Sequence, residues 1–189
     1  ETFVDAVFDG HLDRLAPVPV AREGYVERAL RGGYPEAVHR QPNRRRRFFE
    51  SYVNDLIDRD VMQLSEIQRR PDLHRLLAAL PGRMASPLNL EGLATELGLP
   101  RSTVERYVTL FEEVFLVKRI PPWSSSTARR ANRAPKLLLV DSGLASSLSG
   151  LTRERLQRIP SLTGPLIENF VISELGRQLT WAGTAARLH

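Results

Sequence analysis

Apolar residues recur at three- and four-residue steps along most of this chain, so the pattern predicts helices, with strand-like runs confined to two short stretches. The longest predicted helix runs from Arg44 to about Leu64, where Phe48, Phe49, Tyr52, Val53, Leu56, Ile57, Val61 and Leu64 form one stripe. Before it lie a short helix from Tyr25 to Arg31, ended by Gly32-Gly33, and a second beginning at Tyr34-Pro35-Glu36-Ala37-Val38. After it, Leu73, Leu76, Leu77 and Leu80 line a helix reaching Met84, with Asp72 as its expected cap and Pro81-Gly82 shortening or kinking it. A last helix begins at Gly164-Pro165 and carries Ile167, Phe170, Val171 and Leu175 as its apolar stripe.

Between these helices, Leu90 to Tyr107 has the spacing of a helix-turn-helix. Two helices that meet steeply need a small residue where their backbones come closest, and Ala94 occupies that place. Gly98 permits the positive φ that ends the first helix. Pro100 suits the start of the next, where Ser102 or Thr103 is expected to satisfy free backbone N–H groups. Leu93, Leu97, Leu99, Val104, Tyr107 and Val108 supply the shared core. The presented helix, Arg101 to about Phe115, then carries Arg101, Ser102, Thr103, Glu105, Arg106 and Thr109 on its open face. Arginines and hydroxyls there suit phosphates and base edges, whereas Glu105, Glu112 and Glu113 repel phosphate and suit packing on another domain. Both readings stand at this point.

Phe115 to Ile120 reads as a strand, Pro121-Pro122-Trp123 ends it, a polar stretch turns, and Lys136 to Val140 reads as a returning apolar strand. The hairpin makes the unit a winged helix. Its tip holds Arg129, Arg130, Arg133 and Lys136 without an acid among them, which fits a wing on a phosphate backbone or an ordinary solvated loop. The fold class expected is mainly α with a small β-hairpin wing. Three parts follow: a helical region over 1–68, which the resemblance given below makes lid-like, a winged helix-turn-helix over 69–145, and a trailing helical piece over 146–189.

Composition changes this picture only modestly. With 189 residues, 42% of them hydrophobic, the chain can bury a real core. The net charge of +5, carried mostly by arginine, leans toward an anionic partner. The absence of cysteine removes disulfides, thiolate chemistry and Cys-based zinc sites and fits a cytoplasmic protein. His11, His39, His74 and His189 lack ligand spacing, so no metal site is expected. No run approaches the roughly 20 apolar residues of a membrane span and no signal peptide is seen, so no membrane partner is expected. The first residue is not methionine and the last follow closely on an apolar helix and Gly183, so the expectation is a piece of a longer protein.

Two charged clusters stand out. Arg44 to Arg47 begin the longest helix, where positive charge opposes the macrodipole, and Glu50 at helical spacing offsets part of it. The cluster reads mainly as an exposed basic turn, with an acidic or phosphate partner as the alternative. Asp55, Asp58, Arg59 and Asp60 read as an ion-pair lattice at a contact between domains rather than as a catalytic site.

A set of short motifs in order extends the reading. These are Gly32-Gly33-Tyr34-Pro35-Glu36-Ala37, Tyr52 with Asp58-Arg59-Asp60-Val61, Thr103-Val104 with Tyr107, Pro121-Pro122-Trp123, Pro135-Lys136-Leu137 running into Asp141-Ser142-Gly143-Leu144, and Glu168-Asn169-Phe170-Val171 with Glu174-Leu175. With them the chain resembles, over nearly its whole length, the uncharacterised domain that follows the P-loop core in a widespread group of prokaryotic AAA-like ATPases.

The resemblance implies that Gly33-Tyr34-Pro35 is the Gly-x-Pro element of a helical lid over a nucleotide base, an element that also reads as a plain interhelix turn. It matches Arg59-Asp60 to a family pair without assigning it a role. Asp141, with Ser142, reads as a cap for a helix from Gly143 to Leu148. The last helix resembles the opening helix of a restriction-endonuclease-like fold, in which Glu168 would be a partial nuclease-like residue; Glu174, on the apolar stripe, would need a partner or a metal. No later Asp with Glu-x-Lys and no phosphate-cradling Gly-rich loop follows, so neither nuclease nor ATPase activity is expected of these residues alone. ATP and Mg²⁺ are expected for the parent protein only. Expected partners are double-stranded DNA, through Arg101, Ser102, Thr103, Arg106, Arg129, Arg130, Arg133 and Lys136, or alternatively the parent's own ATPase core or a second copy of the chain.

Overall fold

A computed structural model describes residues 2–16, 18–61, 69–123 and 133–189. The helices are α1 (Phe3–Asp9), α2 (Arg22–Arg31), α3 (Pro35–Val38), α4 (Pro42–Leu56), α5 (Arg70–Ala79), α6 (Leu90–Leu97), α7 (Arg101–Glu113), α8 (Ser142–Ser149), α9 (Arg153–Arg158) and α10 (Thr163–Gln178). Strands β1 (Val117–Ile120) and β2 (Lys136–Leu139) pair antiparallel, with Val117 opposite Leu139 and Ile120 opposite Lys136. The fold is mainly helical with a small two-stranded hairpin and a trailing helix, as the apolar pattern predicts.

Several boundaries differ for identifiable reasons. Helix α4 starts at Pro42 rather than Arg44, because proline needs no N–H partner in a first turn. It ends at Leu56 and passes into a wider π turn, Ile57–Val61, which carries Asp58-Arg59-Asp60. Helix α2 starts at Arg22, three residues before the predicted start, and both strands are shorter than expected. Helix α5 begins at Arg70, so Asp72 lies inside its first turn and pairs with Arg75 at 3.4 Å instead of capping. Pro81, which cannot donate to the helix ladder, sits in the tight turn Leu80–Arg83 that follows α5.

One continuous core joins Ala37, Phe49, Val53 and Ile57 to Leu73, Leu77, Leu93, Val104, Phe111, Leu137 and Leu144. It includes residues from both sides of position 68 and reaches Ala145. A smaller cluster of Ala29, Leu156 and Leu166 lies beneath α2, α9 and α10.

The hairpin gains a third backbone segment that lacks any alternating pattern. Ala85 N–H donates to Leu137 C=O at 3.1 Å, Leu88 N–H donates to Pro135 C=O at 2.8 Å, and Pro87 bridges to Lys136. Two residues farther along β2, the carboxamide of Asn169 takes over this edge. It accepts from Leu139 N–H at 2.9 Å and donates to Leu139 C=O at 3.0 Å, so a fully buried side chain stands in for a strand. This pairing sets the rotation of α10. Leu166 and Asn169 face inward, while Val171, placed on the apolar stripe by its spacing, is 45% exposed.

Asn169→Leu keeps the volume but strands the N–H of Leu139 in the interior and leaves its C=O only the Ser173 hydroxyl at 3.5 Å. Each buried, unsatisfied group costs about 1 to 3 kcal/mol, so urea unfolding is expected to show a loss of about 2 to 4 kcal/mol. A loss below about 1 kcal/mol would show that the carboxamide does not hold this edge.

Candidate nucleic-acid interface

Helices α6 and α7 form the helix-turn-helix. Asn89 caps α6 by accepting from Gly92 N–H at 2.8 Å. Gly98 takes φ +65° at the turn, and Leu99 N–H returns to Ala94 C=O at 3.0 Å. Ala94 is buried where the two helices meet, the position its size predicts. Pro100 starts α7, whose N-terminus has no side-chain cap, so the capping expected of Ser102 or Thr103 does not occur. Both hydroxyls remain on the outer side of the first turn, Ser102 exposed and Thr103 half-buried.

The charges on this face are less free than the sequence suggests. Arg101 Nε lies 3.4 Å from Glu91 Oε2, and its Nη1 lies 3.2 Å from Glu105 Oε2. Arg106 is exposed and makes no ion pair among the described residues; its guanidinium sits 5.5 Å from the Tyr107 ring centre. Behind the helix, Arg119 of β1 is held by Glu112, with Nε 2.6 Å from the carboxylate, and contacts the Thr109 hydroxyl at 3.2 Å.

Arg129 and Arg130 lie outside the described residues. Arg133 is exposed at the root of the hairpin, beside a notch of about 380 Å³ lined by Pro87, Trp123, Lys136 and His189. Lys136, named above among the expected DNA contacts, pairs with Glu168 at 2.5 Å. The same contact answers for Glu168, and Glu174 bonds to Arg177, so each acid of α10 has a basic partner. Among the described residues no group of three His, Asp or Glu side chains could hold a metal ion. Asp55, Asp58, Arg59 and Asp60 are all exposed, and among the described residues only Asp58 of the four enters an ion pair, with Arg70 at 3.2 Å.

Gly33-Tyr34-Pro35 belongs to a different part of the molecule. The Asp141 carboxylate, 1% exposed, accepts from Gly33 N–H at 2.7 Å and from Leu144 N–H at 3.0 Å. It therefore caps α8, as expected, and also ties the glycine turn to it. Sequence reasoning missed the second role, because Gly33 lies 108 residues from Asp141 and nothing local announces the pairing. Tyr34 packs among Phe48, Phe49 and Tyr52, and its hydroxyl meets that of Tyr52 at 2.5 Å. Burial, then the bond to Tyr52, pushes the Tyr34 hydroxyl above the usual tyrosine range.

Comparison with known proteins gives the lineage of this arrangement. Residues 22–155 match the family model described as Domain of unknown function (DUF8612), a span that runs from the first residue of α2, through the joint and the helix-turn-helix, to α9. The chain belongs to this family. The DUF8612 domain is also similar to uncharacterised proteins of Mycobacterium bovis and Mycobacterium tuberculosis, 29% identical to each over 155 residues. Those matches cover 79% of this chain and 34% of each relative, so the chain spans about a third of the length of these relatives. No solved structure matches it. Among the described residues, no helix is long and apolar enough to cross a membrane.

Proposed function

We propose that this DUF8612 domain is the winged-helix, duplex-DNA-binding part of a larger protein. The observation that carries the reading is the helix-turn-helix itself, which leaves Ser102 and Arg106 of α7 open on one face, with the hairpin and Arg133 following it. Hydroxyl and guanidinium groups on a presented helix suit phosphate and base-edge contacts. The motif resemblance supports a parent built on an AAA-like ATPase core, and the relatives leave room for one, being about three times as long as the aligned region. On this reading ATP and Mg²⁺ act in the parent, and the Gly33-Tyr34-Pro35 turn couples to its nucleotide state.

A second reading draws on a specific observation. Glu91 and Glu105 neutralise Arg101, and Phe115, just past the end of α7, is 76% exposed. Such a face also suits packing on an ATPase core or on a second copy of the chain.

Fluorescence anisotropy with a labelled duplex across a salt series separates the two. DNA binding predicts an affinity that falls steeply between roughly 50 and 200 mM salt, and a loss of about tenfold for Arg106→Ala combined with Arg133→Ala. Salt-insensitive binding, or full affinity in the double variant, would sink the DNA reading of α7 and the hairpin.

A further inference from the structure

Ion pairs engage Arg101, Arg119 and Lys136, three of the six described basic side chains of the helix-turn-helix and hairpin, and a denser run of positive charge lies elsewhere. Arg44, Arg45, Arg46 and Arg47 fill the first two turns of α4, and the carboxylate that pairs with this run is Glu50, 3.6 Å from Arg46 with both side chains about 60% exposed. Among the described residues Arg44 and Arg47 enter no ion pair and are exposed. Arg45 is partly buried, and its guanidinium donates to the carbonyls of Ala37 at 3.2 Å and Arg40 at 2.8 Å rather than to a carboxylate. Burial lowers its pKa, against the opposing pull of the Glu27 and Asp141 carboxylates.

The patch does not end at the helix. It adjoins a groove of about 430 Å³ where α4 meets α8, lined by Arg45, Arg46, Ser146, Ser147, Thr152 and Arg153. Ser147 Oγ lies 3.5 Å from Arg46 C=O where the two walls meet. Two acids also line the groove. Glu27 is engaged by Arg153 at 3.3 Å, and the Glu154 carboxylate is held below the usual range by the Thr152 side chain. Hydroxyls and forked guanidiniums along a groove, continued by exposed arginines on a helix, match the spaced oxygens of a phosphodiester backbone.

We infer that the start of α4 and the groove it shares with α8 bind the backbone of a nucleic acid, as a site separate from α7 and the hairpin. The contact is electrostatic and indifferent to sequence, because arginines on a phosphate track carry no base readout. It stands whether or not α7 touches DNA.

The test uses the full chain and a labelled 20-base-pair duplex. Arg44→Ala, Arg46→Ala and Arg47→Ala together leave Arg45 and its carbonyl bonds intact, and circular dichroism should show an unchanged fold. The triple variant is expected to bind about tenfold more weakly at low salt, and to flatten the slope of log affinity against log salt by about 2 to 3, near 0.9 for each lost phosphate contact. A control that replaces the exposed Arg22, Arg28 and Arg158 by alanine removes the same three charges from the net +5 and should lose less than about threefold. Equal losses in the two triple variants, an unchanged slope, or no duplex binding by the unaltered chain would overturn the inference. Loss on Arg106→Ala with full affinity in the α4 variant would overturn it too, while leaving the α7 reading in place.

Discussion

Asp141→Ala is expected to destabilise the domain by about 3 kcal/mol or more, with a melting temperature about 6 to 12 °C lower. The carboxylate is buried and serves two elements distant in sequence. It caps α8 through Leu144 N–H, and it holds the turn after α2 through Gly33 N–H. Loss of a cap costs about 1 kcal/mol. Loss of a charge-assisted bond that leaves a buried N–H unsatisfied costs about 1.5 to 3 kcal/mol more. Arg177, 4.0 Å from the carboxylate, keeps its bond to Glu174 and so adds little to the loss. Asp141→Asn retains an oxygen for Leu144 but turns a donor toward Gly33, and should fall between the alanine variant and the native chain. Urea unfolding followed by circular dichroism measures all three. An alanine variant within 1 kcal/mol of the native chain would show that the glycine turn and α8 hold together by other means.

What the sequence makes legible is what its local chemistry determines. The helix-turn-helix is readable because Ala94, Gly98 and Pro100 each do a job within a few residues of one another, and the structure places them accordingly. The cap of α8 is readable for the same reason, since Asp141 and Leu144 are three residues apart. The misses involve partners distant in sequence or segments without a periodic pattern. Residues 85–88 have no alternation that would announce an edge partner, and only their bonds to β2 and the bridge of Pro87 to Lys136 tie them to the hairpin. Asn169 looks like a polar interruption between Glu168 and Phe170, and the open edge at Leu139 that gives it a role is thirty residues away. Lys136 and Arg101, both expected to contact DNA, have Glu168 at 2.5 Å and Glu91 at 3.4 Å as ion-pair partners that their spacing does not announce. Charge in a sequence is therefore a poor guide to free charge in the fold. Arg44 to Arg47 are the converse, an arginine run read mainly as an ordinary solvated turn in which, among the described residues, Arg46 alone enters an ion pair.

Gly143→Ala separates packing from propensity at the same joint. Gly143 is the second residue of α8, and in an exposed helix the exchange would gain up to about 1 kcal/mol. Here an added Cβ would stand 2.3 Å from Arg31 C=O and 2.8 Å from its carbonyl carbon. These are backbone atoms at the end of α2 and cannot swing aside as a flexible side chain would. The end of α2 must move, and Gly32 and Gly33, next in the chain, move with it away from Asp141. Gly32 has no slack to absorb the shift, because it already takes φ +70° with Asp141 and Gly143 packed against the place its own Cβ would fill. Overpacking of this kind costs about 1 to 3 kcal/mol before the bond from Gly33 is counted, so a net loss of about 2 kcal/mol or more is expected. Gly164 is the matching control. It is likewise the second residue of its helix, α10, but an added Cβ would meet nothing within 4 Å, so Gly164→Ala should stabilise slightly. Opposite signs for the two glycine variants in urea unfolding would locate the cost in the contact between α2 and α8. The same sign for both would mean that helix propensity governs this joint and that the close approach of Arg31 to Gly143 is not required for stability.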